Sequence, residues 1–176
     1  MVVEAMLNNT PSYLKEKVFN IKYNILIGVI ILFISLVSPY LLLIFILFII
    51  YTGYKYIKIK GYYGEQYNRA LSLYNESAYE LAVEVIDNLS IRYKLEDNLH
   101  IIKALSLFQT GNPEGFLKEL SLIKTKELNN DLDILFKKAE AYTLLKDKDK
   151  ALDIYNYLLK AFPNSGDIKE RIISLN

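Results

Sequence analysis

Polar and apolar positions follow two regimes along this chain. From Ile25 to Tyr51 there are 27 consecutive residues without a charge, most of them aliphatic or aromatic. A bilayer-spanning helix needs about 20. Beyond Gly61 the apolar residues fall instead at steps of three and four, which is the spacing of one face of a helix. The pattern predicts an all-α chain with an apolar N-terminal anchor followed by amphipathic helices.

The long run admits two membrane arrangements. As one helix it would be about 40 Å long against a hydrocarbon core of about 30 Å, a mismatch that a steeply tilted crossing absorbs. Ser38-Pro39 sits at its middle. Proline removes a backbone donor and disfavours the helical region for the residue before it, so the pair is a natural hairpin point. Val18–Val37 and Tyr40–Ile59 are then two windows of 20 residues, with Lys22, Lys55 and Lys58 snorkelling and Tyr23, Tyr51, Tyr54 and Tyr56 at aromatic-belt positions. The hairpin is favoured over one long kinked helix, which stays open because membrane helices tolerate proline. The run is too long and starts too late for a secretory signal, and no Ala-x-Ala follows it, so a retained anchor is expected.

In a hairpin all the flanking lysines share one side; in a single crossing Lys55, Lys58, Lys60 and Arg69 outnumber Lys15, Lys17 and Lys22 by only one. Lys15, Lys17, Lys22, Lys55, Lys58 and Lys60 flank the run, which predicts residues 61–176 on the cytoplasmic side, most simply of the cell membrane. Ahead of the anchor, Thr10-Pro11-Ser12 reads as the start of a short interfacial helix with Tyr13, Leu14, Val18 and Ile21 as its apolar face; an ordinary frayed terminus is the alternative. The expected domains are a juxtamembrane segment (1–22), a transmembrane anchor (23–60) and a helical domain (61–176), with Gly61-Tyr62-Tyr63-Gly64 as a flexible joint between the last two.

The helical domain repeats itself. Arg69-Ala70-Leu71-Ser72-Leu73-Tyr74-Asn75 recurs 34 residues later as Lys103-Ala104-Leu105-Ser106-Leu107-Phe108-Gln109, and more loosely as Lys138-Ala139-Glu140-Ala141-Tyr142-Thr143-Leu144. Twelve residues after each small residue stand Ala82, Phe116 and Ala151, followed by Ile86, Leu120 and Tyr155 and then Leu89, Ile123 and Leu158, again on one helical face. Each unit is two helices about a turn: Asn75-Glu76-Ser77, Thr110-Gly111-Asn112-Pro113 and Lys146-Asp147-Lys148-Asp149. A helix-turn-helix unit of this period resembles the tetratricopeptide repeat. The third unit carries the resemblance most closely, with Ala139-x-x-Tyr142, Ala151-x-x-x-Tyr155 and Pro163. Phe116 departs from it, standing where the family has a small residue. Terminal repeats need a polar-faced cap, and Asp167–Leu175 has the stripe for it in Ile168, Ile172 and Ile173.

The resemblance implies three helix pairs, a capping helix and a concave surface lined by the first helix of each pair. On this chain the inward positions include Tyr67, Leu71 and Tyr74; Ile101, Leu105 and Phe108; and Phe136 and Glu140. Family members that grip a C-terminal carboxylate use cations there, and this set has none. An apolar or amphipathic helical segment of a protein partner fits better. The same residues serve equally well as core against the cap, the next repeat or the membrane surface, and both readings stay open.

Composition narrows the rest. Residues 1–60 carry 6 Lys against 2 Glu, leaving 15 Lys/Arg against 18 Asp/Glu for 61–176 out of totals of 21 and 20, so the helical domain has no basic footprint for nucleic acid. There is no Cys and one His, His100, which excludes thiol catalysis and a two-His metal site and leaves His100 a packing role. Glu76, Glu80, Glu84 and Asp87 line one helix face and read as solvated, because a straight helix cannot wrap a cation. No phosphate-binding loop or hydrolase motif occurs. The expectation is a non-enzymatic, membrane-anchored adaptor with no cofactor, metal or small-molecule substrate, whose partners are a protein and membrane lipid. The alternative is an accessory subunit of a membrane complex, with Gly28, Ser35 and Ser38 allowing close helix approach.

Overall fold

The structure is a computed structural model that describes residues 11–35 and 39–175. Thr10 and Ser38, invoked above as parts of a helix start and a hairpin point, lie outside the described residues. Among the described residues all regular structure is helical: ten α-helices and one 3-10 turn, Ser12–Leu14. The described residues form two compact units, those within 15–69 in one and 11–14 with 70–175 in the other.

In the first unit, α1 (Ile21–Ser35) and α2 (Pro39–Lys60) pack side by side and antiparallel. Phe19, just before α1, meets Tyr56 near the end of α2 edge-on with ring centroids 5.3 Å apart. Gly28 faces Phe48, and a Cβ at that position would stand 3.2 Å from the Phe48 ring. The described parts of the apolar run thus form two helices packed on each other. The Ser35 and Thr52 hydroxyls turn inward on their own backbone, Ser35 donating to the Leu32 carbonyl at 2.7 Å and Thr52 to that of Phe48 at 2.9 Å. Among the described residues one helical stretch, Leu42–Lys60, is long and apolar enough to cross a membrane: 19 residues of mean hydropathy 1.7, none of them buried.

Two expectations fail in this unit. The interfacial helix over Ser12 to Ile21 does not form; after one 3-10 turn, residues 15–20 have no regular structure and Val18 is exposed. The reason is a competing hydrogen-bond partner. Asn68 accepts from the Lys17 N–H at 2.9 Å and donates its amide to the Lys17 carbonyl at 3.1 Å, meeting the groups a helix would have paired. Asn20 then caps α1 by accepting the Tyr23 N–H at 3.1 Å. The glycine-rich joint is not a loose linker either. Only Gly61 separates α2 from α3 (Tyr62–Asn75), and a Cβ on Gly64 would lie 2.0 Å from the Ile59 carbonyl oxygen. The glycines make room for a tight bend.

The second unit continues α3 from Ala70 with α4 (Tyr79–Ser90), α5 (Asp97–Gln109), α6 (Pro113–Ser121), the one-turn α7 (Lys126–Asn129), α8 (Leu132–Leu144), α9 (Lys148–Ala161) and α10 (Gly166–Leu175). The repeat shows in the backbone itself. Ser77, Gly111 and Lys146 all have left-handed backbones, with φ of 62°, 77° and 61°. Each is followed by the same return bond, Ala78 to Leu73, Asn112 to Leu107 and Asp147 to Tyr142, at 2.8, 2.9 and 2.9 Å. This 6→1 bond is the Schellman ending of a helix. The restart is capped from the side chain in two of the three, Asn112 accepting from Gly115 and Asp147 from Lys150.

Packing follows the small residues. Ala70, Ala82, Ala104, Ala139 and Ala151 are all fully buried, which lets paired helices approach closely. Where the middle pair has Phe116, the ring is also fully buried and leans on Phe108 at 5.1 Å. That pair has a short second helix of 9 residues. The loop after it is tied back by Asp97, which accepts the N–H groups of Lys124 and Thr125 at 3.0 and 2.8 Å and the Thr125 hydroxyl at 2.5 Å. The cap helix α10 packs on α9, and Lys148 donates to its last-turn carbonyl, Leu175 O, at 2.7 Å.

Candidate partner-binding groove

Along α5 the steps from Ile101 to Leu105 to Phe108 put three apolar side chains on one face. They belong to a cluster with Ala104, Phe116, Leu120, Ile123, Ile134 and Ala141, against which Tyr74 packs half-buried. A further member comes from far away in sequence. Tyr13, in the 3-10 turn, is only 4% exposed and lies in this cluster, with Leu14 packed against it. Its hydroxyl donates to Asp131 Oδ1 at 3.4 Å. Burial, and after it the charges of Asp131 and Asp133, push the phenol well above its ordinary pKa. Burial, followed by the neighbouring Tyr79 at 5.6 Å, raises Tyr74 as well.

The eight inward positions therefore divide. Ile101 and Leu105 share one buried cluster with Tyr13, and Tyr74 and Phe108 pack against it. Leu71 is fully buried. Phe136 packs against a separate cluster that includes the cap helix, and Glu140 is tied to that helix by an ion pair: Arg171 of α10 stands 4.7 Å above the Phe136 ring and donates to Glu140 Oε1 at 2.8 Å, while Phe136 meets Tyr155 edge-on at 5.9 Å. Tyr67 falls in the first unit, fully buried, its hydroxyl donating to the Lys15 carbonyl at 3.3 Å beneath the Lys17 ammonium.

Beside the groove runs an ionic chain. Glu119 of α6 takes Lys103 at 2.6 Å and His100 Nδ1 at 2.8 Å, and Lys103 also reaches Asp87 of α4 at 2.7 Å. The lone histidine is thus tied into a helix contact. Of the acidic row, Glu76, Glu80 and Glu84 are exposed and Asp87 is ion-paired. Among the described residues no group of three or more His, Asp or Glu is placed to hold a metal ion, and no buried side-chain nitrogen or oxygen lacks a partner. What these residues offer chemically is an apolar cluster that takes up the Tyr13 ring, with the Asp131 carboxylate accepting from its hydroxyl.

Tyr13 and Asn68 gave no local signal, since each is defined by a contact more than 50 residues away. Asp131 was readable as a helix start: its side chain accepts the N–H groups of Asp133 and Ile134.

Comparison with known proteins agrees with the geometry of the third pair. The tetratricopeptide repeat family model matches residues 133–165, which cover α8, α9 and the turn that follows. No curated protein and no solved structure matches the chain significantly. Residues 133–165 are thus similar to a tetratricopeptide repeat, and the three Schellman turns in register extend that helix-pair pattern over the described residues from Ala70 onward.

Proposed function

We propose that this protein is a membrane-anchored scaffold. The α1–α2 hairpin sits in the bilayer, and the repeat domain, on the cytoplasmic side of the cell membrane, receives an apolar or amphipathic segment of a partner protein. The observation that carries this reading is the unburied apolar stretch Leu42–Lys60 joined to tetratricopeptide-like pairs. In water that surface would be an aggregation liability; in lipid it is matched to its surroundings. The antiparallel hairpin brings Lys22 of α1 and Lys55, Lys58 and Lys60 of α2 to one end, which supports the sidedness. Confinement to a membrane raises the effective concentration of partners on the same surface. The reading assigns no catalytic role, cofactor or metal.

In an accessory subunit the hairpin would make the main contacts. Two of the residues suited to such contacts are engaged within the hairpin: Gly28 faces Phe48, and Ser35 is buried and bonded to Leu32. The scaffold reading is therefore preferred. Its test is co-purification in mild detergent from membranes carrying the native chain or a chain with an unrelated two-helix anchor. A scaffold keeps its partner through the swap, and loss of the partner with the native hairpin identifies a subunit. Protease added to right-side-out vesicles should leave residues 61–176 uncut, and cleavage there contradicts the sidedness.

A further inference from the structure

Residues 11–14 belong to no helix pair, yet Tyr13 is buried as deeply as Leu105, each 4% exposed. Within the turn the Leu14 N–H donates to the Pro11 carbonyl at 2.9 Å. The helices around it do not depend on it for contact, since α5 packs on α6 and α6 on α8 directly. Asp131 is already fixed by capping α8 through the Asp133 and Ile134 N–H groups at 3.1 and 3.2 Å, so the phenol meets a preset acceptor. The Tyr13 seat, in an apolar cluster that includes Ile101, Leu105 and Phe116 and with the Asp131 carboxylate at the hydroxyl, would be left as a recess complementary to a tyrosine if the turn were displaced. Phenylalanine would fill the apolar part and leave the carboxylate without a donor. Phosphotyrosine would bring two negative charges toward Asp131 and Asp133.

We propose that this recess is a docking site for unphosphorylated tyrosine, occupied in cis by Tyr13-Leu14 and open in exchange to a Tyr-Leu-bearing segment of a partner protein. The proposal deepens the scaffold reading and rests on it. The N-terminal turn acts as an internal competitor, so affinity for an external segment is reduced by the fraction of molecules in which the turn is seated.

The test uses the full chain in detergent micelles, with empty micelles as the blank, and a labelled synthetic peptide of residues 10–17. The peptide should bind the Tyr13→Ala chain at least about tenfold more tightly than the unaltered chain, whose recess is filled. Binding should weaken for the Tyr13→Phe peptide and vanish for the Tyr13→Ala and phosphotyrosine peptides. Adding Asp131→Ala to the Tyr13→Ala chain should reduce it. A folded Tyr13→Ala chain that ignores the peptide, or takes the Tyr13→Ala peptide equally well, overturns the proposal. So does a Tyr13→Ala chain that loses its helical signal, because Tyr13 is then core. Hydrogen exchange on the unaltered chain decides independently of any variant: the Leu14 amide should exchange far faster than the Leu105 amide, and equal protection overturns the proposal. Partner recovery is scored in parallel. Partners recovered without peptide binding sink the docking site alone; peptide binding with no partner recovered from any membrane supports the docking site and counts against the scaffold.

Discussion

The ammonium of Lys103 lies 2.6 Å from Oε1 of Glu119, a carboxylate that is only 6% exposed. His100 and Asp87 complete the chain, so one buried acid links α4, α5 and α6. Removing one member of such a group leaves the others desolvated and unpaired. Glu119→Ala should therefore destabilise the repeat domain by about 3 kcal/mol in urea unfolding. A loss below about 1 kcal/mol would mean that solvent reaches the group. Burial lowers the Lys103 pKa, but the hydrogen bonds it donates to Asp87 and Glu119, together with their charges, outweigh it and the net shift is upward. A raised folded pKa gives stability that is complete below the ordinary lysine value and is lost as pH rises through the folded one. Lys103→Met should remove that part of the alkaline loss.

At the acid end the informative group is Asp97. The hydrogen bond from the Thr125 hydroxyl leads the causes that hold its carboxyl below the ordinary range, with the backbone N–H groups of Thr125 and Lys124 adding to it against some burial. Its contribution is present above the unfolded carboxylate pKa and is lost as pH falls through the folded one. Asp97→Asn should cost about 1 kcal/mol at neutral pH and flatten the stability curve below about pH 4. An unchanged acid limb would show that the loop is not held by this charge.

The three turns make a paired prediction. Ser77 and Lys146 have the same left-handed backbone as Gly111 but carry side chains. Lys146→Gly should raise stability by about 1 kcal/mol and Gly111→Ala lower it by about as much, since Cβ is disfavoured in that region. A Cβ on Gly111 meets nothing within 4 Å, so the cost is conformational, not steric. Thermal unfolding of the two variants should shift in opposite directions; shifts of the same sign would contradict the account.

These turns also show what could be read from the chain. The recurrence of Ala70, Ala104 and Ala139 marked the pairs, and each turn lies where Asn75, Gly111 and Asp147 placed it. The cap helix begins at Gly166, one residue before the expected Asp167. Helical periodicity and capping are local, and local signals survive in a single sequence. The occupant of the groove is not local. Tyr13 and Asp131 are 118 residues apart, and a lone tyrosine before a lysine-rich segment carries no mark of a distant recess. Asn68 likewise meets the Lys17 backbone groups that the interfacial helix, one of the two readings of this segment, would have paired.

Gly64 tests the bend after α2. Gly64→Ala would put a Cβ 2.0 Å from the Ile59 oxygen, whereas a Cβ on Gly53 in mid-α2 meets nothing within 4 Å. Gly64→Ala should lower the melting temperature by the equivalent of about 2 kcal/mol or more, and Gly53→Ala should be near neutral. Equal effects would mean that the joint is loose after all.

The central claim is that α1 and α2 lie in lipid. Alkaline carbonate extraction of membranes from cells carrying the full chain tests it most directly, because it strips proteins held by surface contacts and leaves those embedded in the bilayer. The account predicts that the chain stays with the lipid pellet; recovery of the intact chain in the carbonate wash would contradict it.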